Sequence, residues 1–236
     1  MHIAELNGQK HETITRQPEN DILPEARLED AVIPDRQPEG SSPSVSRDAG
    51  GDWMLTLVNA GNPLPEGYAP QLKSLANGLQ FDERAIDQLN AMLSAAKQQG
   101  LSPVVCSAYR TTEKQRSLFD SKVSKLIASG LGPDQADSEA RKHVAYPGTS
   151  EHNFGLAADI VSLSYQHLDD KQADTPEVRW LREHCAEYGF ILRYPSGKEE
   201  LTGVAYEPWH FRYVGEQTAR EITGSGLCLE EYLAGL

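Results

Sequence analysis

The sequence predicts an α+β fold: a central, mainly antiparallel sheet with helices packed around it, in a single domain. Two observations carry this. Short apolar runs of strand length alternate irregularly with helical patterns, without the repeating strand–helix unit of a parallel sheet. The 236 residues, 39% apolar and 24% charged, suffice for one domain with a proper core plus an extra stretch.

That extra stretch is residues 1–50. It holds Pro18, Pro24, Pro34, Pro38 and Pro43, a serine cluster at 41–46 and an excess of acids, with no sustained periodicity. This is the composition of a flexible linker or stalk. The short apolar run Ala31-Val32-Ile33 is the one piece of it suited to docking on the domain.

The domain spans residues 51–236. Residues 53–58 read as a strand or extended segment, and Asn62-Pro63-Leu64-Pro65 as a loop. The clearest helix is 82–99: Ala85, Ile86, Leu89, Met92, Leu93 and Ala96 follow helical spacing, Asp82 caps the start and Gly100 ends it. Residues 103–108 form a buried strand that delivers Tyr109 and Arg110 at its end. Thr111 or Thr112 then caps a helix to about residue 129. Gly132-Pro133-Asp134 opens another to about residue 144, and Pro147-Gly148 breaks the chain. Residues 156–161 read as a short buried strand. Thr175-Pro176-Glu177 is a helix start, and Gly189 a stop. Strands at 191–194 and 209–214 and helices at 216–223 and 229–233 complete the list.

The net charge of −13 argues against nucleic acid and anionic membrane surfaces as partners. No apolar run of 18 residues exists, so no direct membrane contact is expected of this stretch of chain. Cys106, Cys185 and Cys228 show no Cys-x-x-Cys spacing and suggest neither a zinc ribbon nor a disulfide framework. Cys106 and Cys185 sit in apolar runs as core residues, and pairing of Cys228 with one of them stays open.

Two segments concentrate chemistry. Residues 150–159 hold Ser150, His152, Gly155 and Asp159; residues 207–213 hold Glu207, Pro208, Trp209 and His210. Two imidazoles and one carboxylate meet the ligand requirement of a catalytic zinc site, and a further carboxylate is the usual proton acceptor. In a straight strand His152 and Asp159 would lie roughly 23 Å apart, so the chain has to turn between them. Gly155 is the permissive residue for that turn. Asp159 is the one charge in an apolar run, and a buried carboxylate needs a metal or another cation. Pro208 bends the start of the following strand, which lets Glu207 and His210 share a pocket despite their spacing. On residue chemistry alone, the same four residues also fit satisfied core or loop positions.

Ser-x-His-x-x-Gly-x-Ala-x-Asp at 150–159 and Glu-x-Trp-His-x-Arg-Tyr at 207–213 together resemble the zinc D-alanyl-D-alanine carboxypeptidases of the VanY type, in the wider group with the dipeptidase VanX. A third block, Ser107-Ala108-Tyr109-Arg110 with Gln115 downstream, fits the same pattern. So do Tyr188-Gly189-Phe190 and Arg193-Tyr194-Pro195, and the resemblance covers roughly residues 53–234. It implies one zinc ion held by His152, Asp159 and His210, with Glu207 taking a proton from the zinc-bound water. Arg110 would bind a substrate carboxylate or stabilise the oxyanion, against the plainer alternative of a surface salt bridge. Gln115 would contact the peptide or make a helix-start hydrogen bond. Ser150 would contact the C-terminal carboxylate or cap a turn. Tyr194 and Trp209 would shape the pocket wall or serve as core. Arg212 and Tyr213 are read as supporting or packing residues. His2, His11, His167 and His184 receive no role, and His143 only that of a neighbour.

The activity implied is removal of the C-terminal D-alanine from a peptidoglycan stem peptide by a monomer. The alternatives are an L,D-carboxypeptidase acting on the tetrapeptide, a dipeptidase, or a cell-wall peptide-binding module without catalysis. Such a substrate places the protein outside the cell, at the surface or wall, with a signal or anchor beyond this stretch; a cytoplasmic protein is the other reading.

Overall fold

A computed structural model of the chain describes residues 53–236, and the linker expected at 1–50 lies outside the described residues. Along the chain, β1 (Leu72–Ser74) and β2 (Gln80–Asp82) form an antiparallel hairpin. Helix α1 (Ile86–Gln98) follows, buried through Ile86, Leu89, Met92 and Ala96, which recur at helical spacing on one face. Strand β3 (Pro103–Ser107) leads to α2 (Thr112–Ala128), capped by the Thr111 side chain on the Lys114 N–H, and then α3 (Pro133–Ala140). Short α4 (Glu151–Phe154) precedes β4 (Ala157–Ser162). Helix α5 (Pro176–His184), capped by Thr175, runs through a 3₁₀ turn to β5 (Phe190–Tyr194). The turn of helix α6 (Glu199–Thr202), strand β6 (Glu207–Tyr213), α7 (Glu216–Ser225) and α8 (Leu229–Ala234) complete the domain.

The main sheet has the order β3-β4-β6-β5 with every neighbouring pair antiparallel, as the sequence predicts. Strand β4 is central and buried at all six positions. That explains its unbroken Ala-Ala-Asp-Ile-Val-Ser run: helices α4 and α5 lie against it. Phe81, Ile86, Leu89, Leu156, Ile160, Leu181, Phe190 and Phe211 form the principal core. A second cluster of Ile191, Val214, Ala219, Ile222 and Leu229 seats α7 and α8 on the opposite face of β5. Phe190 and Ile191 are neighbours in sequence yet belong to different clusters, as the two-residue period of a strand requires. All three cysteines are free and buried.

The structure corrects four boundaries. Residues 53–58 are not a strand: Trp53–Leu55 is a 3₁₀ turn, and the carbonyls of Met54 and Thr56 accept from the Arg212 guanidinium instead of a strand ladder. Asp82 ends β2 rather than capping α1, because its carboxylate is taken by the N–H and guanidinium of Arg84. Helix α3 stops at Ala140, not near 144. Strand β6 begins at Glu207, ahead of Trp209.

Candidate metal centre

His152 is aimed by its own short helix. The Ser150 side chain accepts from the His152 N–H at 3.3 Å, and α4 ends at Gly155, whose φ of 91° only glycine adopts without strain. A side chain there would also meet Pro70, with a Cβ–Cγ distance of 3.1 Å. The chain reverses at this point and enters β4, which carries Asp159.

Strand register does the rest. Asp159 on β4 is the direct antiparallel partner of His210 on β6, so both side chains emerge together on one face. Glu207 lies three residues before His210, a spacing that puts two side chains on opposite faces of a regular strand. Strand β6 is not regular there. From the Leu192↔Phe211 pair to the Tyr194↔Glu207 pair, β5 advances two residues while β6 advances four. This bulge, which contains Pro208, brings the Glu207 Oε2 within 3.5 Å of His210 Nδ1. The third block is stapled to the same place. Arg110 N–H donates to the His152 carbonyl at 3.1 Å, and the Asn153 side-chain amide donates to the Arg110 carbonyl at 2.6 Å.

The resulting cluster has the electronic character of a cation site. His152 Nδ1 lies 2.6 Å from the Ala108 carbonyl, which can only accept, so Nδ1 carries the proton. The Nε2 lone pair then faces Asp159 Oδ2 at 3.2 Å. His210 Nδ1 faces Asp159 Oδ1 at 3.1 Å. His152 Nε2 and Asp159 Oδ1 are buried without a hydrogen-bond partner. Ligand atoms of His152, Asp159 and His210 all lie within 4.8 Å of one another. Two nitrogens and a carboxylate in this arrangement fit zinc, whose catalytic sites take three N/O protein ligands.

Titration behaviour follows from the charges. Burial, with Arg110 nearby, pushes His152 down to about 4, leaving it a neutral imidazole. Burial opposes a charge on His210 too, but hydrogen bonding to Asp159 and Glu151 outweighs it and lifts the metal-free residue to about 9. Asp159 is held well below the usual carboxylate range: burial raises it, and the two histidines more than compensate. Burial pushes Glu207 up to about 8, with His210 pulling down and Asp159 pushing up.

Of the residues expected at the substrate, Arg110 has a buried, unpartnered Nε, and its guanidinium interacts with both Asp159 and Glu207. That is not a surface salt bridge. Gln115 is buried and donates to the Ala145 carbonyl at 2.7 Å, leaving its Oε1 unpartnered. Ser150 is the cap of α4. The Tyr194 ring lies 4.8 Å from that of His210, and Trp209 is half-buried. His143 pairs with Glu139.

Sequence reasoning missed Glu151 and gave Arg193 no role, whereas Arg212 was read as a supporting or packing residue, and supports Glu151 here; all three are fully or almost fully buried. Glu151 Oε1 accepts from Arg193 Nε at 2.7 Å and from an Arg212 terminal nitrogen at 3.0 Å, and its Oε2 faces His210 Nε2 at 3.4 Å. For Arg193 the signal was present, since it is the lone charge in the apolar strand Phe190–Tyr194, the same argument that marked Asp159.

A family model described as "VanY: D-alanyl-D-alanine carboxypeptidase" matches residues 78–216, more than half of the chain. The chain belongs to the VanY family. Its relatives include a D-alanyl-D-alanine carboxypeptidase of Enterococcus faecalis, 45% identical over 199 residues, covering 83% of this chain and 72% of that one. Among solved structures, VanYB in complex with D-alanine-D-alanine is 46% identical, with a TM-score of 0.71 over 77% of this chain and 98% of that one. A mutant VanY from a VanB-type resistance cassette, in complex with Zn(II), gives a TM-score of 0.70 at 46% identity over 77% and 99%. The VanY match spans all three sequence blocks and every residue of the cluster.

Proposed function

We propose that this VanY-family chain is a zinc metallopeptidase that removes the C-terminal D-alanine from peptides ending in D-Ala-D-Ala, the stem peptides of peptidoglycan. The observation that carries this is the convergence of His152, Asp159 and His210 with Glu207 beside them, within a domain 46% identical to the zinc-bound VanY.

His152, Asp159 and His210 hold the zinc. Zinc, when bound, supplies Lewis acidity, lowering the pKa of a coordinated water and polarising the carbonyl under attack. Glu207 accepts the proton of the attacking water and returns it to the departing amine of D-alanine. Its position beside the ligand His210, at 3.5 Å, suits a group that passes a proton between the two steps. Arg110, with an unpartnered Nε beside Asp159 and Glu207, offers its guanidinium to the oxyanion or to the substrate carboxylate. Gln115 Oε1 is assigned to the peptide, Tyr194 and the half-buried Trp209 to the pocket wall, and Ser150 to the terminal carboxylate through its hydroxyl proton.

The test is D-alanine release from a muramyl pentapeptide and, in parallel, a tetrapeptide, by zinc-loaded and chelator-treated protein. Release from the pentapeptide alone, abolished by the chelator, is the expected result. Release from the tetrapeptide would move the assignment to L,D specificity, and none from either would leave binding alone. On this reading the protein acts outside the membrane, as a monomer; cell fractionation tests the first and light scattering the second.

A further inference from the structure

The zinc ligand His210 is backed by a buried four-charge cluster that reaches both ends of the domain. Glu151 Oε2 and His210 Nε2 are both buried and face one another at 3.4 Å, and neither has any other hydrogen-bond partner. Behind Glu151 stand Arg193 and Arg212, both with 0% exposure. Arg193 spends Nε on Glu151 at 2.7 Å and its two terminal nitrogens on Glu230 of α8 at 2.8 and 2.6 Å. Arg212 donates to Glu151 at 3.0 Å and through its other terminal nitrogen to the carbonyls of Met54 and Thr56 at 2.8 and 3.0 Å. Two guanidiniums balance two carboxylates, so the cluster is neutral and each arginine has one hand on Glu151 and one on a chain end. Such an arrangement holds the carboxylate better than a single ion pair, because displacing Oε1 breaks two charge-assisted bonds at once.

We infer that Glu151 is the positioning residue for His210, and that docking of α8 through Glu230 and of residues 54–56 through Arg212 holds it there, so that metal affinity depends on the two ends of the domain. A carboxylate at Nε2 selects the tautomer that leaves Nδ1, the nitrogen facing Asp159, free for the metal, and raises its donor strength. His152 gets the same service from the Ala108 carbonyl, a weaker, neutral acceptor. This inference rests on the zinc reading above.

The experiment measures zinc dissociation constants by chelator competition, and visible spectra of the cobalt-loaded protein, for four full-length proteins. Glu151→Gln keeps the size but loses the charge; it is expected to weaken zinc about ten- to hundredfold and shift the cobalt bands. Should that variant not fold, Glu230→Ala, which touches no ligand, is expected to weaken zinc about three- to tenfold with the same direction of band shift. Lys198→Ala removes the other ion pair of α8, to Glu231 at 2.8 Å, without touching Arg193 and should leave both readouts at parent values. Parent-like zinc affinity and spectra in Glu230→Ala, or equal losses in Lys198→Ala, would overturn the clamp. A parent protein that takes up no zinc would instead overturn the zinc reading itself.

Discussion

His210 stands between two buried glutamates with opposite surroundings. Glu151 lies 3.4 Å from Nε2, and Glu207 lies 3.5 Å from Nδ1. Burial works against ionisation of both. At Glu151 the Arg193 and Arg212 guanidiniums overwhelm it and hold the carboxyl well below the usual range. In the metal-free protein Glu207 has only the nearby His210 and Arg110 to favour its charge, while burial and Asp159 oppose it, and its pKa rises to about 8. Residue type is the same and both side chains are buried, so neither property decides the role. The supply of cations does: with two arginines a glutamate is a fixed anion that orients, and without them it exchanges a proton.

The largest expected effect separates the two roles directly. Glu207→Gln should keep the fold and bind zinc like the parent, yet lose at least about a hundredfold in turnover, the usual range for an acid–base group being roughly 10²–10⁴. Turnover on the pentapeptide and metal content per chain are the measurements. Near-parent turnover would show that the proton passes elsewhere, and the contrast with Glu151 would collapse.

The fixed side is broken by Arg193→Leu. The change strands Glu230 and leaves Glu151 with one cation in a site of zero exposure. Removing one partner of a buried ion pair costs about 3–5 kcal/mol. At roughly 2–4 °C per kcal/mol for a domain of this size, the melting midpoint should fall by ~6–20 °C. A midpoint that moves by less than about 2 °C would mean that the cluster relaxes without penalty.

How much of this contrast was legible beforehand depended on which residues were local to one another. Asp159 as a lone charge in an apolar run, Gly155 as the turn and Pro208 as the bend are all readable from neighbours in sequence, and the structure uses each of them. The order of helices and the antiparallel sheet came from the same local patterns. The four-residue helix α4 and the three-residue strands β1 and β2 are too short to show periodicity. The 3₁₀ turn at Trp53–Leu55 was misread because its neighbouring carbonyls are satisfied by Arg212, more than 150 positions away. Glu151 was missed for the same reason: its neighbours in sequence say nothing of Arg193 and Arg212, which reach it only across the folded sheet.

The smallest effect sharpens the exchangeable side, through pH. In the metal-free protein His210, raised to about 9 from an ordinary 6.5, contributes stability that is complete below pH 6.5 and lost as pH rises through 9. Glu207, raised to about 8, works in the same direction, because the folded state holds a proton there that the unfolded chain has released. His152, lowered to about 4, acts only below pH 6.5 and so does not oppose them in this window. Metal-free stability should therefore decline between about pH 6.5 and 9. With zinc in place His210 is deprotonated throughout, and its share of that decline is gone. The gap in melting midpoint between zinc-loaded and chelator-treated protein should widen steadily over this window. A gap that stays constant or narrows would mean that no proton on His210 or Glu207 competes with the metal, and Glu207 would then be as fixed an anion as Glu151.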